Sequence, residues 1–200
     1  QLLACRGILD PRLAREFLDA KLTSLRDPEE LPGLPAAADR IMAAVAAGLR
    51  IVIYGDYDVD GMSATALLYL GLKLLGADVG YYVPHRLDEG YGLNCESLRT
   101  LAERGAKMIV TVDCGIGSHV EAQLAAELGL ELVITDHHSV PGELPAAAAI
   151  VHPALPDSSY PFAGLCGAGV AFKLAWALCQ RASNSKKVAE RMRNYLMQAI

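Results

Sequence analysis

The sequence predicts an α/β fold, in which a doubly wound, mainly parallel sheet carries helices on both faces. Short runs rich in β-branched residues alternate along the chain with segments of helix length. That alternation is typical of parallel strands joined by helical connections. The runs are apolar throughout instead of alternating with polar residues, as expected for strands that are covered on both faces.

The predicted elements follow one another in a regular order. The segment 1–48 is predicted to be helical, with helices at about 11–21 and 35–47 joined by the proline-marked stretch RDPEELPGLP. Predicted strands then begin near 51, 79, 108, 132 and 148, with the sequences IVIY, VGYYV, MIVTV, LVIT and AAIV. Between them we predict helices at about 62–75, 95–104 and 118–128, with Asn94 and Ser118 as N-caps. The α/β domain is therefore predicted to span 49–180.

The last residues, 181–200, are predicted to begin a further helix in a domain that continues beyond them. The run VAERMRNYLMQAI reaches Ile200 without the glycine or proline that normally stops a helix. The chain also begins at Gln1 and not at a methionine. We therefore expect the sequence to be a piece of a longer protein.

The composition indicates a globular chain without a broad basic surface. Hydrophobic residues make up 52% of its 200 residues, and its formal net charge is -5. This charge argues against an extended electrostatic grip on nucleic acid or on an anionic membrane, so phosphate chemistry should be local. The most apolar stretch contains Lys73 and predicts a buried helix, not a membrane span. Five cysteines without a C-x-x-C pair indicate reduced thiols and a cytoplasmic protein.

Acidic residues and histidines follow three of the predicted strands. They are Asp56, Asp58 and Asp60 after the first strand, Asp113 after the third, and Asp136, His137 and His138 after the fourth. In open α/β sheets the functional site lies outside the carboxyl ends of the strands, so these side chains should converge. Closely spaced carboxylates repel one another unless a cation lies between them. The combination therefore predicts a metal site.

Other interpretations of these motifs fit less well. The spacing in GDYDVDG also opens the calcium loop of an EF-hand, but that loop needs a glutamate where this chain has Leu67, and it follows a helix. A solvated acidic turn does not explain the acids and histidines after the other strands. VDCGIGSH lacks the third glycine of a dinucleotide fingerprint, since Val120 stands there. Cys114 could be a thiolate ligand, but a small packed residue is favoured.

Side chains near the strand ends could contact a substrate. Two adjacent histidines in TDHHS cannot both point into the core, so one could bind a metal while the other faces substrate. Arg86 could clamp a phosphate, with an ion pair to Asp88 or Glu89 as the alternative. Tyr91 could stack on a nucleobase or anchor its loop by packing.

Six motifs together resemble the DHH phosphoesterase superfamily and, within it, the RecJ single-strand-specific exonucleases. They are GDYDVDG, RLDEGYGL, VDCGIG, TDHH, LPAAAAIVHP and LCGAGVAFKLAWAL, and the resemblance runs from about Gly7 to at least Leu178. It implies hydrolysis of phosphodiester bonds in single-stranded DNA from a 5′ end, with release of 5′-mononucleotides, in DNA repair and recombination. The implied cofactor is a pair of Mn²⁺ ions, with Mg²⁺ as the alternative.

The resemblance also implies a role for each candidate residue. The implied metal ligands are Asp56, Asp58, Asp60, Asp113 and His137. Asp113 would bridge the two ions, and His138 would contact the scissile phosphate, which makes both catalytic. Arg86, His138 and Tyr91 would bind substrate.

The family pattern places one more metal-binding aspartate, and a DHH-associated domain, beyond Ile200. Asp157 lies where the family has no ligand. From this chain alone we therefore expect at most one well-occupied metal and little nuclease activity.

Two alternative functions remain open. One is a DHH-family phosphodiesterase acting on cyclic dinucleotides or nano-oligonucleotides, whose opening motif is usually of an N-P-D-x-D type. The other is a catalytically inert DHH scaffold, against which the retained Asp58, Asp60, Asp113 and His137 argue. The expected partner is single-stranded DNA, no membrane partner is expected, and the sequence predicts no particular protein partner.

Overall fold

A parallel sheet forms the centre of the molecule. The computed structural model describes residues 1–19, 24–156 and 158–198. Within them lies a five-stranded sheet in the order β2-β1-β3-β4-β5, with every neighbouring pair parallel. The strands are β1 (Ile51–Tyr54), β2 (Val79–Tyr82), β3 (Met108–Val112), β4 (Glu131–Thr135) and β5 (Ala149–Val151). The predicted fold class is confirmed, and each strand begins within one residue of its predicted start.

All five helices with predicted bounds are found. The helices of the described residues are α1 (Leu2–Cys5), α2 (Pro11–Leu18), α3 (Leu34–Ala46), α4 (Val59–Leu74), α5 (Cys95–Glu103), α6 (His119–Glu127), α7 (Gly167–Ala182) and α8 (Glu190–Gln198). The helix predicted for 11–21 ends at Leu18, and positions 20 and 21 lie outside the described residues. None of the helices in the described ranges is long and apolar enough to cross a membrane.

Capping explains where the site-bearing helices begin. α4 begins earlier than predicted because the Asp58 side chain accepts hydrogen bonds from the backbone N–H groups of Asp60 and Gly61. Asn94 caps α5 as predicted, since its side chain accepts a hydrogen bond from Ser97 N at 2.8 Å. Ser118 occupies the N-cap position of α6 as predicted, but its side chain forms no capping bond.

Two hydrophobic cores cover the two faces of the sheet. Successive residues of a strand point to opposite faces. Ile53, Val110 and Val133 therefore pack in one core with buried residues of α3, α4 and α7. Val52 and Ile109, from the alternate positions, pack in the other core with buried residues of α5 and α6. This is the doubly wound arrangement.

The helix α3 belongs to the same core as the sheet. Leu34 and Ile41 are fully buried there. Just before α3, Gly33 has a φ of 74°, and a Cβ at this position would lie 1.7 Å from the carbonyl oxygen of Ile150 in β5. Only glycine permits that approach. The domain boundaries at 48 and 180 remain predictions, although α3 and the sheet share one core.

Candidate metal centre

The carboxyl ends of β1, β3 and β4 bring the acidic residues and histidines together. These strands are adjacent and parallel in the sheet, so the loops after them meet at one edge. Two groups of side chains there have ligand atoms that all lie within 4.8 Å of one another. One group is Asp56, Asp58 and Asp113, and the other is Asp113, His137 and His138. Asp113 belongs to both, which makes it a candidate for sharing between two metal positions.

Asp113 is a buried carboxylate in a strained backbone position. Its φ is 64°, a conformation that few residues other than glycine adopt. Its Oδ1 forms no hydrogen bond, although His137 Nε2 lies only 3.0 Å away. Burial, together with the nearby charges of Asp60 and Asp58, raises the pKa of Asp113 to about 7. A buried oxygen without a hydrogen-bond partner, facing an imidazole nitrogen, fits a metal ligand.

The loop after β1 supplies the next two carboxylates. Asp56 is only 3% exposed, and its Oδ1 also lacks a hydrogen-bond partner. Burial raises the pKa of Asp56. Asp58 uses Oδ1 for both capping bonds to α4, so Oδ2 is not engaged in the cap. Gly61, the last residue of GDYDVDG, is required for packing, because a Cβ at this position would lie 2.7 Å from Asp56 Cβ.

Asp60 lies at the margin of the two groups. Its carboxylate accepts hydrogen bonds from Gly167 N at 2.7 Å and from Ala168 N at 2.6 Å, at the N-terminus of α7. His137 Nε2 lies 3.5 Å from Asp60 Oδ2. The helix N-terminus stabilises this negative charge, since its free N–H groups carry partial positive charge. The role of Asp60 as a metal ligand stays a prediction.

Gly167 is a site residue that sequence reasoning did not identify. A Cβ at this position would lie 2.4 Å from Asp113 Oδ1 and 2.6 Å from its Cγ. The absence of a side chain therefore allows α7 to reach Asp60 while leaving room for Asp113. The glycines of LCGAGV were the available signal, but nothing local indicates which of them faces the site.

Asp136 orients the second histidine. Its Oδ1 accepts hydrogen bonds from the backbone N–H groups of His137 and His138 and lies 2.7 Å from His138 Nδ1. Its Oδ2 accepts a bond from Ile116 N at 2.9 Å. Because these bonds use both carboxylate oxygens, Asp136 acts as a structural acceptor that leaves His138 Nε2 for other contacts. Burial lowers the pKa of His138, but the bond to Asp136 and nearby carboxylates raise that pKa overall.

His152 supports the same loop from β5, and sequence reasoning assigned it no role. Its Nδ1 accepts a hydrogen bond from Ala154 N, so the ring proton lies on Nε2, which is 2.8 Å from the carbonyl oxygen of His138. Burial lowers the pKa of His152 and favours this neutral form. The position after a predicted strand, in IVHP, was its only sequence signal.

The predicted substrate residues lie around this centre. The guanidinium carbon of Arg86 lies 5.1 Å from the centroid of the Tyr57 ring. In the described residues Asp88 pairs with His85, and Glu89 bonds to other groups, so the ion-pair alternative for Arg86 is not found.

The hydroxyl group of Tyr91 reaches the candidate metal centre, at 3.2 Å from Asp113 O and 3.3 Å from His138 Nδ1. Base stacking by Tyr91 stays a prediction. Cys114 is buried, and burial raises the pKa of its thiol, as suits a packed residue. Asp157 lies outside the described residues.

Comparison with known families gives this centre a context. Residues 50–200 match the model described as the DHH family, N-terminal domain. The chain belongs to the DHH family. The letters D-H-H correspond here to Asp136, His137 and His138.

The similar curated proteins carry the name single-stranded-DNA-specific exonuclease RecJ. The one from Bacillus subtilis is 49% identical over 88% of this chain and 22% of its own length. The one from Escherichia coli is 42% identical over 89% of this chain and 30% of its own length. The chain thus spans less than a third of the length of these relatives.

Solved RecJ structures share this DHH-family fold. A crystal structure of exonuclease RecJ bound to manganese is 41% identical, with a TM-score of 0.71 over 84% of this chain and 42% of that chain. RecJ from Thermus thermophilus in complex with Mn²⁺ is 35% identical, with a TM-score of 0.72 over 98% of this chain and 27% of that chain. The same Thermus protein has also been solved in complex with Mg²⁺.

Proposed function

We propose that this chain is the DHH portion of a metal-dependent exonuclease that hydrolyses single-stranded DNA from a 5′ end. The observation that carries the proposal is the buried Asp113 carboxylate, which two ligand groups share at one edge of the sheet. The similarity to RecJ exonucleases supports the substrate class. The 5′ polarity and a role in DNA repair and recombination follow from the sequence resemblance alone.

We propose Mn²⁺ as the cofactor, with Mg²⁺ as the alternative. Asp56, Asp58 and Asp113 would hold one ion, while Asp113, His137 and Asp60 would hold the other. The unpartnered Oδ1 atoms of Asp56 and Asp113 support this assignment. Imidazole nitrogen among carboxylate oxygens favours manganese over magnesium, which prefers oxygen ligands. When bound, two such ions activate a water molecule and stabilise the negative charge that develops on the phosphoryl group.

The protein's own side chains would orient the substrate around the ions. Asp136 holds Nδ1 of His138, so Nε2 is the atom left to contact a phosphate oxygen or to hold a proton for the leaving oxygen. Arg86, whose guanidinium lies over Tyr57 beside the acidic loop, would bind a second phosphate. With a net charge of -5 on the chain, these local contacts and the ions would provide most of the attraction for DNA.

The experiment compares four substrates side by side in the full-length protein. Single-stranded DNA, duplex DNA, a dinucleotide and a cyclic dinucleotide are each incubated with Mn²⁺, and products are separated. We expect 5′-mononucleotides from single-stranded DNA, and loss of that activity in Asp113→Asn. Asp78→Asn is the matched control. Asp78 directly precedes β2 and pairs with Arg50, so it lies at the amino ends of the strands, away from the candidate site.

Each other outcome assigns a different function. Preferred cleavage of the cyclic dinucleotide or dinucleotide would replace the exonuclease proposal with a small-substrate phosphodiesterase. Failure to cleave any substrate, with manganese bound, would indicate an inert scaffold.

We also propose a cytoplasmic location. All five cysteines are free thiols, and Cys5 and Cys166 are exposed. Exposed thiols persist in a reducing compartment, where disulfides are rare. Labelling the protein in intact cells with a thiol reagent, before and after lysis, would test this location.

A further inference from the structure

The loop 84–93, between β2 and α5, is held firmly beside the metal centre. Its main anchor is the Glu89 carboxylate, which accepts hydrogen bonds from four groups. The donors are the hydroxyl groups of Tyr82 and Ser97, the side-chain amide of Asn94 and the backbone N–H of His85. These bonds lower the pKa of Glu89 to about 2, with the His85 backbone bond contributing most. The carboxylate thus ties the loop to the strand before it and the helix after it.

A second anchor lies on the other side of Tyr91. The buried Tyr54 hydroxyl donates a hydrogen bond to the carbonyl oxygen of Gly92 at 3.1 Å, and the neighbouring Leu93 is only 5% exposed. Gly90 and Gly92 have φ values of 78° and 82°, in the region that favours glycine. Tyr91 is therefore held from both sides in a turn that sets its direction.

The hydroxyl group of Tyr91 contacts two residues of the proposed reaction site. It donates a hydrogen bond to the carbonyl oxygen of Asp113, the residue with the strained backbone, at 3.2 Å. It also lies 3.3 Å from His138 Nδ1, and the two rings meet edge-on with centroids 5.8 Å apart. Asp136 Oδ1 accepts the backbone N–H bonds of His137 and His138 and lies 2.7 Å from Nδ1, so Nδ1 is the donor, and the Tyr91 oxygen is a second acceptor for its proton.

We propose that Tyr91 is a positioning residue, whose hydroxyl group fixes the peptide of Asp113 and the ring of His138 in the orientation that hydrolysis requires. The hydroxyl group bridges the ends of β3 and β4, so its loss frees both the strained peptide and the imidazole. Small displacements of reacting groups reduce rates strongly. The catalytic consequence of this inference rests on the proposed nuclease function. The contact of Tyr91 with Asp113 and His138 is independent of that function.

Base stacking remains the competing role for Tyr91. A cavity of about 340 Å³ is lined by Tyr91 together with Gly92, Asp136, His138 and residues 115–118. A base placed there would need only the aromatic ring, whereas positioning needs the hydroxyl group. The two roles are therefore separated by a variant that keeps the ring and removes the oxygen.

The kinetic test compares Tyr91→Phe, Tyr91→Leu and a control in the full-length protein. For Tyr91→Phe we expect kcat on single-stranded DNA to fall by about 10- to 100-fold with little change in KM, because ground-state binding is retained. Tyr81→Phe is the control, since Tyr81 lies on the edge strand β2 and its ring packs edge-on against Tyr69 of α4, away from the site. A Tyr91→Phe protein with normal kcat, together with a raised KM in Tyr91→Leu, would assign stacking and overturn the proposal.

A second measurement is independent of activity. In the metal-free full-length protein labelled with ¹⁵N-histidine, the ring nitrogens of His138 are observed by NMR. We expect Nδ1 of His138 to be protonated and its resonance to shift in Tyr91→Phe, while the His152 ring stays unchanged. Unchanged His138 resonances would overturn the positioning role whatever the substrate. If the His138 resonances shift in Tyr91→Phe but the wild-type protein cleaves no DNA, the contact is established and only the proposed function is contradicted.

Discussion

Asp113 combines three properties at the scale of a single residue. It follows β3 with a left-handed backbone, it is only 1% exposed, and its Oδ1 lacks a hydrogen bond. Each property costs stability in the metal-free protein, since strain, burial of charge and an unsatisfied acceptor all favour unfolding. Such costs persist in proteins where function requires them, and a shared metal ligand is the function we propose.

The first prediction concerns Asp113→Asn. In the folded protein the pKa of Asp113 is raised from an ordinary value near 3.8 to about 7. The fold therefore favours the protonated carboxyl group. This contribution to the stability of the metal-free protein is complete below pH 3.8 and is lost as pH rises through 7. Asparagine tolerates the left-handed backbone and carries no charge. We expect the variant to be more stable than the wild type at pH 8 by about 1–3 kcal/mol.

Urea denaturation in EDTA at pH 5 and pH 8 measures this effect. Asp78→Asn serves as the control, because Asp78 is an exposed carboxylate away from the site. We expect the wild type to lose more stability than Asp113→Asn between pH 5 and pH 8. Equal losses in the two proteins would contradict the prediction.

At the scale of structural elements, helix α7 and the loop 84–93 shape the candidate metal centre. α7 brings two backbone N–H groups to Asp60, and its first residue has no side chain where Asp113 lies. The loop 84–93 brings Tyr91 from the other side. Gly167 provides the space for this fit in the helix, and Glu89 is the main anchor of the loop.

Gly167→Ala should destabilise the protein, although alanine is normally better than glycine in a helix by up to about 1 kcal/mol. The new Cβ would lie 2.4 Å from Asp113 Oδ1, so the helix or the carboxylate must move. We expect a loss of about 1–3 kcal/mol and weaker manganese binding, measured by urea denaturation and calorimetric titration. In Gly169→Ala, of the same helix, the closest atom to the new Cβ is the flexible end of Leu165 at 3.1 Å, and the other contacts are ordinary. Equal effects of the two variants would show that the contact with Asp113 is not the cause.

Glu89→Gln should remove a pH dependence from the stability of the protein. The pKa of Glu89 is lowered to about 2 from an ordinary value near 4.5, so its carboxylate stabilises the fold above pH 4.5, and this contribution is lost as pH falls toward 2. Glutamine cannot accept all of the hydrogen bonds of the carboxylate. Thermal unfolding between pH 3 and pH 7 should therefore show a lower stability at pH 7 and a flatter acid limb in the variant. A variant with the same acid limb as wild type would contradict this role.

At the scale of the whole molecule, the candidate metal ligands follow three neighbouring strands of the sheet. β1, β3 and β4 are separated along the chain by helices that pack on opposite faces. An ion bound at their carboxyl ends would link them across both cores. Metal binding should therefore stabilise the global fold and not only the loops, because the ligands assemble only in the folded state.

Manganese should raise the unfolding temperature, and the rise should grow as the free manganese concentration increases relative to Kd. At a free concentration of about 100 times Kd, the gain is about 2.7 kcal/mol if the unfolded chain does not bind the ion. Asp58→Asn should reduce the gain, and Asp78→Asn should leave it unchanged, as measured by scanning calorimetry over a manganese series. A similar gain in Asp58→Asn and wild type would place the ion elsewhere.

The sequence by itself determined the sheet and the grouping of the candidate metal ligands at one edge of it. Apolar runs of strand length predicted every strand to within one residue, because burial on both faces of a parallel sheet leaves few polar positions. Parallel strands end at the same edge, so residues just after β1, β3 and β4 had to be close. Asp58, Asp113 and His137 could therefore be grouped without coordinates.

Only the tertiary structure decided how these residues are held. Asp60 bonds to Gly167 N across 107 positions of sequence, Tyr54 to Gly92 across 38, and His152 to His138 across 14. Periodicity reports which face of an element is buried, but it carries no information on which distant backbone group meets a given side chain. The hydroxyl contact of Tyr91 and the space beside Gly167 depend on packing between elements, and that packing is set by the complete core.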